Sequence, residues 1–207
     1  MIDGARGRRG RQTSSAIAAA AERLFAAHGT ERTTVDDVAT VAGVSVGSVY
    51  VHYGSKDDLH ATLVRRAVDD RAASVSRRFW SESPLERVVN TGDAYADFAV
   101  HRPHGFWLAA RATELATMGV DRAGADRFSQ SEAGRQLAAD IDDAIAAGEL
   151  RSDATESVVD YLWGAWTGIL ALQLVEEPSV ELRRRLHFAF RVAVAGLTRE
   201  GDVLPAA

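Results

Sequence analysis

The run from Thr33 to Leu59, TTVDDVATVAGVSVGSVYVHYGSKDDL, leaves the fold little freedom. Two short helical patterns meet there across an Ala42-Gly43-Val44 turn. Thr34 is placed to N-cap the first, and Asp37 stands three residues on to complete a capping box. Val35, Val38 and Ala39 give that helix one apolar face. Gly43 stands where the chain needs a positive φ to end it. Ser45 caps the second helix, predicted from about Val46 to His52. Val49 and Tyr53, four apart, turn inward and leave Val46, Gly47, Ser48, Tyr50 and His52 facing out. Ser55 opens a third helix with Asp58 at its capping-box position. Two helices joined this tightly form a helix-turn-helix, and the second is the one that fits a major groove.

These residues carry a resemblance. The run is similar to the DNA-binding signature of the TetR (tetracycline-repressor) family of bacterial transcription regulators. It matches at Thr34, Asp37, Val38, Ala39, Ala42, Gly43, Val44, Ser45, Gly47, Val49, Tyr50, His52, Tyr53, Ser55, Lys56 and Leu59. Further on, the tail of His101–Trp107 and the Trp163–Gly168 segment resemble the ligand-binding half of one TetR subgroup. That subgroup has Trp-x-x-x-His-Gly where this chain reads Trp163-x-x-x-Thr167-Gly168.

Composition narrows the rest. At 207 residues the chain is long enough for one large domain or for a small one joined to a larger. Alternating strand patterns are missing and long segments carry helical periodicity, so an all-α protein is expected. No cysteine is present, which excludes a disulfide framework, a zinc knuckle and a thiol sensor. The basic, polar first residues lack an apolar segment after them, so no signal peptide is read and the cytoplasm is expected. The formal net charge is −5, but it is unevenly spread. Residues 1–56 hold six Arg and one Lys against five acids; the remainder holds seventeen Arg against twenty-four acids. A basic reading head on an acidic body follows. Lys56 is the single lysine.

In chain order, residues 1–12 read as a flexible basic arm whose Arg6, Arg8, Arg9 and Arg11 either touch phosphates or a minor groove, or merely solvate the tail. Residues 13–56 form the helix-turn-helix domain, its first helix starting near Thr13 or Ser14 and burying Leu24 and Phe25. His28 is expected as a partly buried neighbour of Tyr53. Residues 57–207 form an effector-binding and dimerisation domain. Ser83-Pro84-Leu85-Glu86 is a clear helix start. The run from Tyr161 to Val175 is uncharged and apolar all round, yet short of the ~20 residues that span a bilayer. No membrane is expected. Surplus apolar surface on this helix and the next implies a subunit partner. Gly164, Gly168, Leu172, Leu186, Phe190, Ala193 and Leu197 are the candidate dimer interface. Trp166→Arg is expected to yield monomers.

Other chemistry finds little support. His101 and His104 are two short of a metal site, with Pro103 breaking the helix between them. No nucleotide-binding or nucleophile motif appears, so no cofactor and no catalytic residue are expected. Asp140, Asp142 and Asp143 read as a solvated acidic face. Phe98, Phe106, Trp107, Leu115, Phe128, Ile141, Trp163 and Trp166 either fill the core or line a pocket for a hydrophobic or aromatic effector, with Arg111 and Glu114 as its polar anchors.

The expected protein is thus an all-α homodimer, a ligand-responsive repressor that is not an enzyme. Its N-terminal three-helix bundle binds double-stranded palindromic DNA. Ser45, Ser48 and His52 face bases or phosphates, Thr34, Tyr50 and Lys56 hold the backbone, and Val46 and Gly47 make apolar contact. The alternative is a helical small-molecule binder or enzyme that uses the body cavity.

Overall fold

The computed structural model describes residues 3–76, 80–117, 131–151, 155–173 and 180–198, with side chains in the first helix only from Arg8 and in the sixth only as far as Ala110. Nine helices are formed among the described residues, and no strand. They are α1 (Asp3–His28), α2 (Val35–Ala42), α3 (Val46–Tyr53), α4 (Lys56–Ser76), α5 (Pro84–His101), α6 (Pro103–Thr117), α7 (Glu132–Ala146), α8 (Thr155–Gln173) and α9 (Val180–Ala195). An isolated bridge between Leu150 and Thr198 pins the end of α7 to the end of α9. No helix among the described residues is long and apolar enough to cross a membrane.

Two apolar cores organise these helices. The first gathers Ile17, Ala21 and Phe25 of α1, Val38 and Ala39 of α2, Val49 of α3, and Leu59, Leu63 and Ala67 of α4. The second gathers Tyr95 and Phe98 of α5, Phe106 of α6, Leu137 and Ile141 of α7, Trp163 and Trp166 of α8, and Leu186 and Phe190 of α9. Helix α4 belongs to both, since its Val75 lies in the second core. Helix α6 does too: Phe106 packs in the body while Leu108 and Ala109 pack in the head. The head core therefore continues past residue 56, because one uninterrupted helix carries apolar residues into both cores.

The structure corrects several expectations. Helix α1 begins at Asp3, so residues 3–12 prolong it instead of forming a separate arm. Extending an existing helix adds a hydrogen bond per residue without a second nucleation cost, and Arg is a good helix former. His28 is exposed instead of partly buried, and the Tyr53 hydroxyl bonds Ser14. Asp140 is buried and paired with Arg87 at 2.9 Å, while Asp143 meets the same guanidinium at 2.6 Å. What reads as a crowded acidic face is a link between α5 and α7.

The expected dimer surface is also partly wrong. Leu186, Phe190 and Ala193 are buried within the protomer, and Leu197 packs partly against the same core. A helix that is apolar on two faces does not say which faces inward. Here the stripe through Leu182, Leu186 and Phe190 turns to the core, so Phe188 and Val192 are left outside. Gly164, Gly168 and Leu172 of α8 are exposed in the protomer. Trp166 is fully buried against Phe190, so an arginine there strikes the core and not an interface. Gly92 explains the close fit: a Cβ on it would lie 3.0 Å from the Trp166 ring.

Candidate nucleic-acid interface

Local hydrogen bonding builds the helix-turn-helix as its sequence demands. The Thr34 hydroxyl accepts from the Asp37 backbone N–H at 3.1 Å, and the Thr34 N–H donates to the Asp37 carboxylate at 2.9 Å. The hydrogen bonds that the Thr34 hydroxyl and N–H donate to the Asp37 carboxylate hold it below its ordinary range. Gly43 ends α2 at φ +66, and the N–H of Val44 donates back to the Ala39 carbonyl at 3.0 Å. A side chain at that φ is strained, which is why glycine stands there. Ser45 then caps α3 by accepting from the Ser48 N–H at 3.2 Å.

Helix α3 is fastened from behind. Val49 is buried in the head core. The Tyr53 hydroxyl donates to the Ser14 carbonyl at 3.0 Å and so ties the end of α3 to α1. With those residues inward, Ser45, Gly47, Tyr50, Val51 and His52 are exposed, and Ser48 is half-buried. Val46 is half-buried against the head core and does not point fully outward as expected. Val51 is the residue that sequence reading missed. It is 84% exposed, one turn from Gly47 and beside Tyr50. The signal was present: positions 47, 50 and 51 follow the i, i+3, i+4 spacing of a single helix face.

Two expected backbone-holding residues turn out to be engaged within the protein. The Thr34 hydroxyl also donates to Asp37 at 2.7 Å, so its donor is committed to the cap. The Lys56 ammonium donates to the Thr30 carbonyl at 3.0 Å and to the Thr33 carbonyl at 3.2 Å. Lys56 therefore clamps the start of α4 to the loop between α1 and α2, and of its three N–H donors one remains for another acceptor.

Among the expected effector-pocket residues, Phe98, Phe106, Ile141, Trp163 and Trp166 share the body core, with Trp107 packed partly against it. Tyr95, absent from the expectation, is the hub: it stacks on Trp163 at 4.4 Å and tilts against Phe106 at 6.0 Å. The side chains of Arg111, Glu114 and Leu115, and all of Phe128, lie outside the described residues. A separate open groove of about 730 Å³ is lined by Ser76, Trp80, Arg87, Glu132, Gln136, Asp140 and Asp143, away from the aromatic cluster.

Comparison with known proteins gives a consistent picture. Residues 17–63 match the family described as bacterial regulatory proteins, tetR family. The transcriptional regulator HbdR of an Aromatoleum strain is 25% identical over 189 residues, spanning 91% of this chain and 76% of that protein. The transcriptional repressor KstR2 of Rhodococcus jostii is 36% identical over 93 residues, spanning 43% of this chain and 45% of the repressor. The solved structure of the ketosteroid transcriptional regulator KstR2 of Mycobacterium tuberculosis superposes with a TM-score of 0.70 at 22% identity, covering 90% of this chain and 95% of that one. The latter likeness is one of fold.

Proposed function

We propose, from the match of residues 17–63 to the tetR family of bacterial regulatory proteins, that this chain is a ligand-responsive repressor that grips a palindromic operator as a homodimer in the cytoplasm. The exposed face of α3 carries the reading. Gly47 permits close approach, Val51 and the edge of Val46 meet thymine methyls, and Ser45, Ser48 and His52 address bases or nearby phosphates. Tyr50 and the remaining N–H of Lys56 hold the backbone, and Thr34 serves chiefly to keep the entry of α2 in shape. Few charged groups face the bases, so phosphate contacts and duplex shape supply much of the specificity.

Pairing of the outer faces of α8 and α9 between two subunits sets the heads about 34–36 Å apart, one helical turn of DNA. Helices α4 and α6, each packed in both cores, connect the body to the reading head. A hydrophobic or aromatic effector in the body shifts the spacing; near-complete release requires about 5.5 kcal/mol of differential binding. The single observation behind this reading is that α3 buries Val49 and leaves Gly47, Tyr50, Val51 and His52 open to solvent.

The test is binding to the DNA upstream of the protein's own gene, followed by fluorescence anisotropy across a salt series. Tight binding that falls steeply with salt and weakens in Tyr50→Ala supports the proposal. An absence of salt-sensitive binding at every concentration favours the rival, a helical binder or enzyme that works through the body alone.

A further inference from the structure

Helix α4 presents a stripe of Leu59, Leu63, Ala67, Arg71 and Val75, one residue every four, all buried. One member is out of place. Arg71 is only 5% exposed, yet its Nε has no hydrogen-bond acceptor, and no ion pair among the described residues includes it. The guanidinium lies over the Trp163 ring, 5.1 Å from its centroid. Trp163 stacks in turn on Tyr95, whose hydroxyl sits 3.3 Å from the Thr167 hydroxyl. Burial lowers the Arg71 pKa and raises that of Tyr95.

A buried guanidinium stays charged and forfeits its water. The face of one tryptophan returns only part of that loss, so buried charges are ordinarily given a counter-ion. None is supplied here by the described residues. The surroundings state what would fit. A guanidinium fork pairs best with a planar carboxylate. With a single guanidinium to balance, the place suits a monoanion and not a multiply charged phosphate. The walls are aromatic.

We propose that Arg71 anchors an effector bearing a carboxylate and an aromatic or otherwise apolar body, the carboxylate pairing with its guanidinium and the body packing against Trp163 and Tyr95. This rests on the reading of the body as an effector domain, and it names the ligand class. It also gives the signal a short route. Arg71 stands one turn beyond Ala67 on the helix that carries Leu59 and Leu63 into the head core.

The experiment uses the full chain with 4-phenylbutyrate and its neutral isostere 4-phenylbutyramide as probes, followed by tryptophan fluorescence and thermal unfolding. Wild type should bind the acid at least tenfold more tightly than the amide, a difference of about 1.4 kcal/mol. Arg71→Met should abolish that preference. Because it removes an uncompensated buried charge while keeping the bulk, it should also raise the unfolding temperature of the unliganded protein. Arg71→Met that unfolds at a lower temperature than wild type marks a structural arginine and overturns the assignment. So does a wild type that binds acid and amide alike, or neither at about 1 mM. Those failures leave operator binding by the head intact. An Arg71-dependent preference for the acid with no effect on the DNA complex upholds the site and removes the regulatory reading beneath it.

Discussion

Replacing Lys56 by Met separates a clamp from a phosphate contact. The ammonium makes two hydrogen bonds, at 3.0 Å to the Thr30 carbonyl and 3.2 Å to the Thr33 carbonyl. A hydrogen bond to a charged group contributes about 1.5–3 kcal/mol. Lys56 is half-buried, so water replaces part of what is lost, and the Thr30 carbonyl keeps the Thr33 N–H at 3.3 Å. A net destabilisation of the head of about 1–3 kcal/mol follows. Every tryptophan lies outside the head, so the suitable assay is amide hydrogen exchange at Val38 and Val49 in the free protein. Exchange through opening of the head should accelerate about 5- to 150-fold. If the third N–H also meets a phosphate, the slope of log affinity against log salt falls by about 0.9, equally for all operator sequences. Unchanged exchange together with a reduced salt slope would show that the ammonium serves DNA alone, and the clamp argument would be refuted.

Four further outcomes are expected. Val192→Arg places a charge on the exposed face of α9, beside Phe188 at 70% exposure, and should give monomers by sedimentation; an unaltered dimer removes this face as the interface. Trp166→Arg should instead unfold the body. Gly92→Ala pushes a methyl to 3.0 Å from Trp166 and 3.1 Å from Phe190, both fully packed, and should cost about 1–3 kcal/mol in denaturant unfolding; no loss would mean that the pair has room to move. His187 has a raised pKa, chiefly through its hydrogen bond to Asp93, with burial opposing and the charges of Asp93 and Asp97 adding. A raised folded value means that its stabilising contribution is complete below the unfolded value of 6.5 and is lost as pH climbs through the folded one. Unfolding temperature should drop between about pH 5.5 and 8 by less in His187→Gln than in wild type; equal drops would assign the pH dependence elsewhere.

What the amino-acid order determined is local. Thr34, Asp37, Gly43 and Ser45 act through hydrogen bonds and backbone angles within four residues of themselves, so the helix-turn-helix, its caps and the inward set of Val49 and Tyr53 could be read directly. Most other helices announced themselves by periodicity, as did the cap at Ser83. Arg71 was legible in the same way, as a charge within an every-fourth-residue apolar stripe, but the stripe gives no partner for it. Packing between distant segments decided the remainder. The choice between two apolar faces of α9 depends on where α5 and α8 lie. Lys56 became a clamp because the α1–α2 loop folds over it. Tyr95 became the aromatic hub because α8 brings Trp163 against it from 68 residues further along the chain, a separation at which periodicity carries no information. Local rules act over one helical turn; burial and charge pairing are settled only when separate helices meet.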